Sequence, residues 1–168
     1  ARWDISPDGL IYTFHLRPDG KWSPGAPVPA RAFAFSFQRI LTHAFGSPYS
    51  YMLWPIKNAE RFNKGDLKDF SAVGVAVVDD LTLRVTLERP TPYLPALTAH
   101  QTWMPVHRAT VEKFGKTDDR ANPWARAGSL VSNGPFTLAE WRPNARIVAT
   151  KNPRYWNAAH TWLERVMF

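Results

Sequence analysis

Apolar and polar positions alternate most clearly at Leu81 to Glu88, where Leu81, Leu83, Val85 and Leu87 interleave with Thr82, Arg84, Thr86 and Glu88. A period of two predicts a strand with one buried face. With Val73 to Val78 before it and Asp79-Asp80 between, the pair reads as a β-hairpin. Leu10 to Leu16 alternates around Tyr12, Phe14 and Leu16, and Ser6-Pro-Asp-Gly9 ahead of it has the chemistry of a turn. A second hairpin is predicted from Phe136 to Trp141 and Arg146 to Lys151, turning over Pro143-Asn144. Leu163 to Phe168 reads as a last strand.

The period changes between Ala30 and Ala44. Phe33, Phe37, Ile40, Leu41 and Ala44 fall on one stripe at helical spacing, and Pro29 suits a helix start because its missing N–H would be unpaired there anyway. Shorter helices are expected at Asn58 to Lys64, closed by Gly65, and at Val106 to Phe114, closed by Gly115, with a helical turn within Pro90 to Leu97. Lys116 to Ser132 is polar and punctuated by Pro and Gly, the composition of a boundary between structural units. Mixed elements without a regular βαβ rhythm predict an α+β (mixed α/β) fold.

Composition narrows the chemistry. The 168 residues hold no Cys, which excludes disulfide scaffolds, Cys-based zinc sites and thiol catalysis. No Gly-x-Ser-x-Gly, phosphate-binding glycine loop or His-Glu-x-x-His is present, and no nucleophile–base pair supports a hydrolase. Asp79 and Asp80 are adjacent and point apart in a turn. The five His residues, at 15, 43, 100, 107 and 160, lack the spacing that clusters metal ligands on one element. No catalytic residue, metal site or cofactor is therefore expected. His100 stands out because it lies within an uncharged stretch running from Pro90 to His107. That stretch contains four prolines and is no membrane span.

The formal net charge of +7 raises the question of nucleic acid or another anionic polymer. Its Lys and Arg residues, however, are scattered singly, among them Arg31, Arg39, Lys57, Arg61, Arg142, Arg146 and Arg154. A nucleic-acid partner is not expected. Aromatic residues reach 14%, and Tyr49, Tyr51, Trp54, Trp103, Trp141, Tyr155 and Trp156 are more than a core of this size needs. Tyr and Trp pair a broad apolar face with one polar handle, which suits a recognition surface or a domain interface.

Three linked stretches carry a family resemblance. Tyr12-Thr-Phe-His-Leu-Arg17, Lys21-Trp-Ser-Pro-Gly25 and Phe33 to Arg39 resemble the N-terminal signature of bacterial extracytoplasmic solute-binding proteins of family 5, the oligopeptide-, dipeptide- and nickel-binding components of ABC importers. Asp79 to Leu87 with Pro90-Thr-Pro-Tyr93 is similar to the hairpin and turn that follow in that family. Asn133-Gly-Pro-Phe136, Trp141 and Lys151-Asn-Pro-Arg-Tyr-Trp156 resemble its later signature. The match runs the length of the chain, and Ser47-Pro-Tyr49, Pro92 to His100 and Val111 to Gly115 are most similar to the oligopeptide-binding members.

The resemblance implies a fragment of a two-lobed periplasmic binding protein-like fold lacking the second ligand-binding lobe. Residues 1–107 would be the accessory small lobe and residues 108–168 part of the first ligand-binding lobe. Tyr49 and His100 carry over as ligand-lining residues for an extended peptide held by main-chain hydrogen bonds. The implied partners are a peptide ligand and an ABC transporter permease in the membrane, and the implied location is periplasmic or extracytoplasmic and membrane-anchored. Another cargo within the family, such as a dipeptide, nickel chelate, haem or sugar, remains open on the same residues. Ala1 to Asp4 has no basic start followed by an apolar run, no initiator Met is present, and the last strand stops while apolar. The chain is accordingly expected to be a piece of a longer protein. The helix that opens Thr-Ala-x-Asp in the family opens Pro29-Ala-Arg-Ala32 here, so both side-chain caps are gone.

Overall fold

The computed structural model describes residues 2–168. Contacts divide the chain into two units, Ala1–Arg17 with Pro29–Val106, and Pro18–Val28 with His107–Phe168. Both contain strands and helices, so the fold is α+β as the pattern predicts. The sequence division at residue 107 runs residues 1–107 as one stretch. The structure differs in joining residues 18–28 to the second unit, because Ser23 N–H donates to Ser132 O at 2.7 Å and Arg154 Nη1 donates to Ser23 O at 3.0 Å.

The first unit is built on an antiparallel sheet with strands in the order β1 (Arg2–Ile5), β2 (Ile11–His15), β4 (Thr82–Thr86), β3 (Val75–Asp79). Tyr12 pairs with Val85 and Phe14 with Leu83 across the central strands. Tyr12, Leu83 and Val85 point to one buried face, and Val77 and Val78 lie exposed on β3. The expected alternation holds for Leu83, Val85 and Leu87, whereas Leu81 is exposed at the turn. Strand β1 has no counterpart in the sequence reading: all four of its residues are exposed, and Trp3 and Ile5 alternate with Arg2 and Asp4 over too few positions to mark a strand.

Helix α1 (Ala30–Leu41) lays Phe37 and Leu41, both fully buried, onto this core. Phe33 and Ile40 pack partly buried beside them. Pro29 occupies the N-cap rather than the first helical position and caps with no side chain. The first helical N–H is satisfied instead by the hairpin turn, Ala30 N–H donating to Asp80 O at 2.8 Å, and an exposed Arg31–Asp80 ion pair spans the same junction. The helix ends at Leu41, three residues before the predicted Ala44, which falls in a separate 3₁₀ turn at His43–Phe45. Helix α2 (Ala59–Lys64) closes on Gly65 in the left-handed conformation, as expected. Helix α3 (Leu94–Leu97) is a single turn that buries Leu94. Each fully buried Leu, Ile or Phe here is worth roughly 1.5–3 kcal/mol relative to exposure.

The second unit contains α4 (Arg108–Lys113) and an antiparallel sheet of β5 (Phe136–Arg142), β6 (Arg146–Lys151) and β7 (Arg165–Met167) in that order. Residues 116–132, expected as a boundary, lie wholly inside this unit. Buried Asn122 stitches them down: its Nδ2 donates to Val111 O at 3.0 Å and Lys116 O at 3.1 Å, and its Oδ1 accepts from Trp124 N–H at 3.1 Å. These bonds satisfy backbone groups within the segment and at the end of α4, which ties the two together. Among the described residues, no helix is long and apolar enough to cross a membrane.

Candidate functional site

Tyr49 stands at the entrance to a 3₁₀ turn, Ser50–Leu53, whose Leu53 is fully buried. So short a turn has few hydrogen bonds of its own, and Asn63 on α2 supplies the rest. Its Oδ1 accepts from Ser50 Oγ at 3.0 Å and from Trp54 Nε1 at 3.3 Å, while its Nδ2 donates to Leu41 O at the end of α1 at 3.1 Å. One amide thereby ties the Tyr49 turn to both helices.

His100 precedes a second 3₁₀ turn, Gln101–Trp103. Trp103 drives that turn into the core: it is 5% exposed, lies edge-on to Phe37 at 5.2 Å between ring centroids, and donates from Nε1 to Met52 O at 3.3 Å. The last bond joins the His100 turn directly to the Tyr49 turn. Tyr49 and His100 consequently come together, their ring centroids 5.5 Å apart and tilted by 56°. Tyr51 continues the row at 6.3 Å from Tyr49. The two tyrosines are 44% and 47% exposed, which makes an open aromatic ledge on a rigid base.

The polar groups of the ledge are partly spoken for. His100 Nδ1 lies 3.0 Å from Thr102 Oγ1 and accepts from Thr102 N–H at 3.3 Å. His100 Nε2 and the hydroxyls of Tyr49 and Tyr51 have no hydrogen-bond partner among the described residues. The ledge therefore offers apolar ring faces for dispersion contact and a few polar tips for main-chain amides. It contains no carboxylate. Among the described residues, no three His, Asp or Glu side chains are grouped as a metal site requires.

The sequence brought Tyr49 and His100 forward separately, and the structure sets their rings side by side. Tyr51 was legible only as one of many aromatics. Thr102 and Trp103, which hold His100, carry no local signal of that role.

In the second unit, the Lys21–Gly25 and Asn152–Trp156 signatures converge. They line a shallow pocket of about 500 Å³ that includes Lys21, Gly25, Arg154, Tyr155 and Trp156. Buried Asn152 fixes one wall, its Nδ2 donating to Gly134 O at 2.9 Å and its Oδ1 accepting from Arg154 N–H at 3.0 Å. His107 packs edge-on against buried Trp22 at 5.1 Å and lies 2.8 Å from Thr110 Oγ1. Burial holds its imidazole below the usual range.

Much of the basic charge is met locally. Arg2 pairs with Asp4, Lys64 with Glu60, Arg108 with Glu112, both Arg142 and Arg146 with Glu140, and Lys151 with Glu164. All have at least one exposed partner, with only Glu140 and Lys151 half-buried, and such pairs are worth little in stability.

An α+β chain with an exposed aromatic ledge on a packed base has the makings of a binding protein. The family model for bacterial extracellular solute-binding proteins, family 5 (middle), matches residues 1–168, and the chain belongs to that family. It is 40% identical over 168 residues to the periplasmic oligopeptide-binding protein OppA of Escherichia coli strain K12, the match taking in 99% of this chain and 30% of that protein. It is 37% identical over 169 residues to the probable deoxycholate-binding periplasmic protein YgiS of the same strain, again 99% of this chain and 30% of the relative. The structure of Haemophilus influenzae OppA in complex with the peptide RPPGFSPFR superposes with a TM-score of 0.91 at 34% identity, over 99% of this chain and 32% of that one. The chain thus spans about 30% of the length of the curated relatives it matches. The family is one of solute-binding proteins rather than enzymes.

Proposed function

We propose that the chain is part of the substrate-binding component of an ABC importer and supplies one wall of a site for extended oligopeptides. The observation that carries this reading is the Tyr49–His100 pair, two residues that the family resemblance singles out one by one and whose rings lie 5.5 Å apart on an exposed ledge. Ring faces and single polar tips can hold a peptide backbone without dictating its side chains, the economy expected of a carrier with broad cargo. In the whole protein, residues 1–107 correspond to the accessory lobe, less the 18–28 segment that packs with the second unit, and residues 108–168 to part of the first ligand-binding lobe. Ligand bound between two lobes would shift an open–closed equilibrium by touching both only when closed, and the closed form would deliver peptide to the membrane permease outside the cytoplasm.

The test is calorimetric titration of the whole protein with oligopeptides, comparing wild type with Tyr49→Ala and His100→Ala together. Losing two contacts of about 0.5–1.5 kcal/mol each weakens binding roughly five- to 150-fold. Unchanged affinity in the double variant sinks the site. A second cargo is favoured by one observation, the 37% identity to a relative described as deoxycholate-binding. Native mass spectrometry of the purified whole protein separates the two: a ladder of adducts spaced by amino-acid masses supports peptide, and one discrete adduct of steroid mass supports the alternative.

A further inference from the structure

We propose that Thr102 is a positioning residue that fixes His100 as a hydrogen-bond donor, so that this part of the ledge takes an acceptor oxygen of its ligand, a main-chain carbonyl of a peptide. The inference rests on the reading of Tyr49 and His100 as ligand contacts and adds which chemical group His100 meets. A neutral imidazole carries one proton, so the nitrogen that accepts a hydrogen bond leaves the other to donate. Thr102 presents its backbone N–H to His100 Nδ1 at 3.3 Å and its Oγ1 to the same atom at 3.0 Å. A proton on Nδ1 would face the Thr102 N–H head on, and that N–H cannot turn away, because Thr102 is 4% exposed and held in the turn that Trp103 anchors. Nδ1 therefore accepts, from the N–H and from the rotatable Thr102 hydroxyl together. The ring proton sits on Nε2, which has no partner among the described residues.

A donor at Nε2 selects acceptors. A peptide offers a carbonyl oxygen at every residue whatever its side chains, which is what sequence-independent binding requires. An ammonium group, which only donates, finds nothing to bond at His100. The neighbouring Tyr49 hydroxyl can donate or accept, so the directional choice at this end of the ledge belongs to His100. Thr102 also removes rotational freedom from the ring. Without its hydroxyl only the long backbone N–H bond, at 3.3 Å, holds the ring, so the imidazole swings to other rotamers, where that N–H no longer opposes a proton on Nδ1, and apparent affinity falls by the fraction of time spent in the competent state.

The test uses the ¹⁵N-labelled whole protein, with tetra-alanine and its C-terminal amide as probes, at a pH well above the usual imidazole range. In wild type the long-range ¹H–¹⁵N spectrum of the His100 ring should show Nδ1 unprotonated and Nε2 protonated, with the Nε2 proton moving downfield when tetra-alanine is added. Thr102→Val should give averaged tautomers and bind tetra-alanine about three- to tenfold more weakly, and Thr102→Ser should restore both. A proton on Nδ1 in wild type overturns the proposal. So does a Thr102→Val protein with unchanged tautomer and affinity while His100→Ala has lost affinity. His100→Ala with full affinity defeats the underlying ligand reading instead. If His100→Ala weakens the free acid but not the amide, the acceptor is a carboxylate and the carbonyl assignment is wrong.

Discussion

Asn63 gives the sharpest test of how the ledge is supported. Asn63→Ala removes three hydrogen bonds at once, those with Ser50 Oγ, Trp54 Nε1 and Leu41 O. The half-buried setting places each near 1 kcal/mol net, for a total of about 3 kcal/mol. The bond that His43 Nδ1 makes to the Asn63 main-chain oxygen survives the substitution. The loss falls on the segment around residues 50–54, whose amides Met52 N–H and Trp54 N–H are protected by bonds to Tyr49 O and Tyr51 O. If local opening of that segment becomes easier by about 3 kcal/mol, hydrogen exchange there accelerates about 100-fold, at 1.4 kcal/mol per factor of ten. Asn63→Asp keeps acceptors for Ser50 and Trp54 but sets a carboxylate against the Leu41 carbonyl, and should cost about 1–2 kcal/mol, roughly a tenfold acceleration. Exchange mass spectrometry on the whole protein reads both variants. Acceleration of less than about threefold in Asn63→Ala, or no difference between Ala and Asp, would refute the idea that one side-chain amide supports the Tyr49 turn.

Two further outcomes concern stability. Gly74 lies between two chain segments, its N–H donating to Lys57 O at 2.8 Å and its carbonyl accepting from Thr86 N–H at 2.7 Å. A Cβ there would overlap the Thr86 carbonyl oxygen and sit 2.9 Å from Lys57 Cβ, so Gly74→Ala should cost about 3 kcal/mol or more. Gly128→Ala has open space and only a left-handed φ to tolerate, at about 1–2 kcal/mol, and thermal melts that rank the two equally would count against the packing argument. His107, held below its ordinary 6.5 by burial, stays neutral in the fold while the unfolded chain takes up a proton. Stability should therefore decline as pH falls from about 6.5 towards the folded value and level off below it. That window opens at a higher pH than the one set by Asp4 and Asp79, which are lowered by hydrogen bonds from His15 and Leu81 N–H respectively and whose contributions are lost only as pH falls below 3.8. His107→Phe keeps a ring beside Trp22 and should flatten the slope of melting temperature between pH 7 and 5. An unchanged slope would show that His107 is not its source.

Elements with one buried face were legible in the sequence because burial imposes a period. Strand β4 shows this at Leu83 and Val85, and α1 at Phe37 and Leu41. Strand β1 was illegible because it is short: Trp3 and Ile5 repeat the period only once, all four residues are exposed, and the ladder to β2 makes them a strand. Residues 116–132 were misplaced because composition reports polarity and cannot report that Asn122 turns inward and bonds three backbone groups. The site divides in the same way. Tyr49 and His100 emerged from the family resemblance, yet their proximity depends on Trp103 reaching Met52 across 51 residues of chain, a contact with no periodic trace. Thr102 was invisible, since a Thr two residues after a His has many ordinary explanations.

The route of the chain has a practical corollary. It enters the second unit at Pro18, leaves at Val28 and returns at His107. No single cut therefore separates the two units. A piece beginning at His107 would lack Trp22, which covers His107, and Ser23, whose main-chain groups bond Ser132 and Arg154. Dissection by simple truncation would damage the unit it sought to isolate. Supplying residues 18–28 as a separate peptide, or grafting them before His107 through a flexible joint, would respect the contacts and turn that short segment into a detachable part whose docking can be titrated.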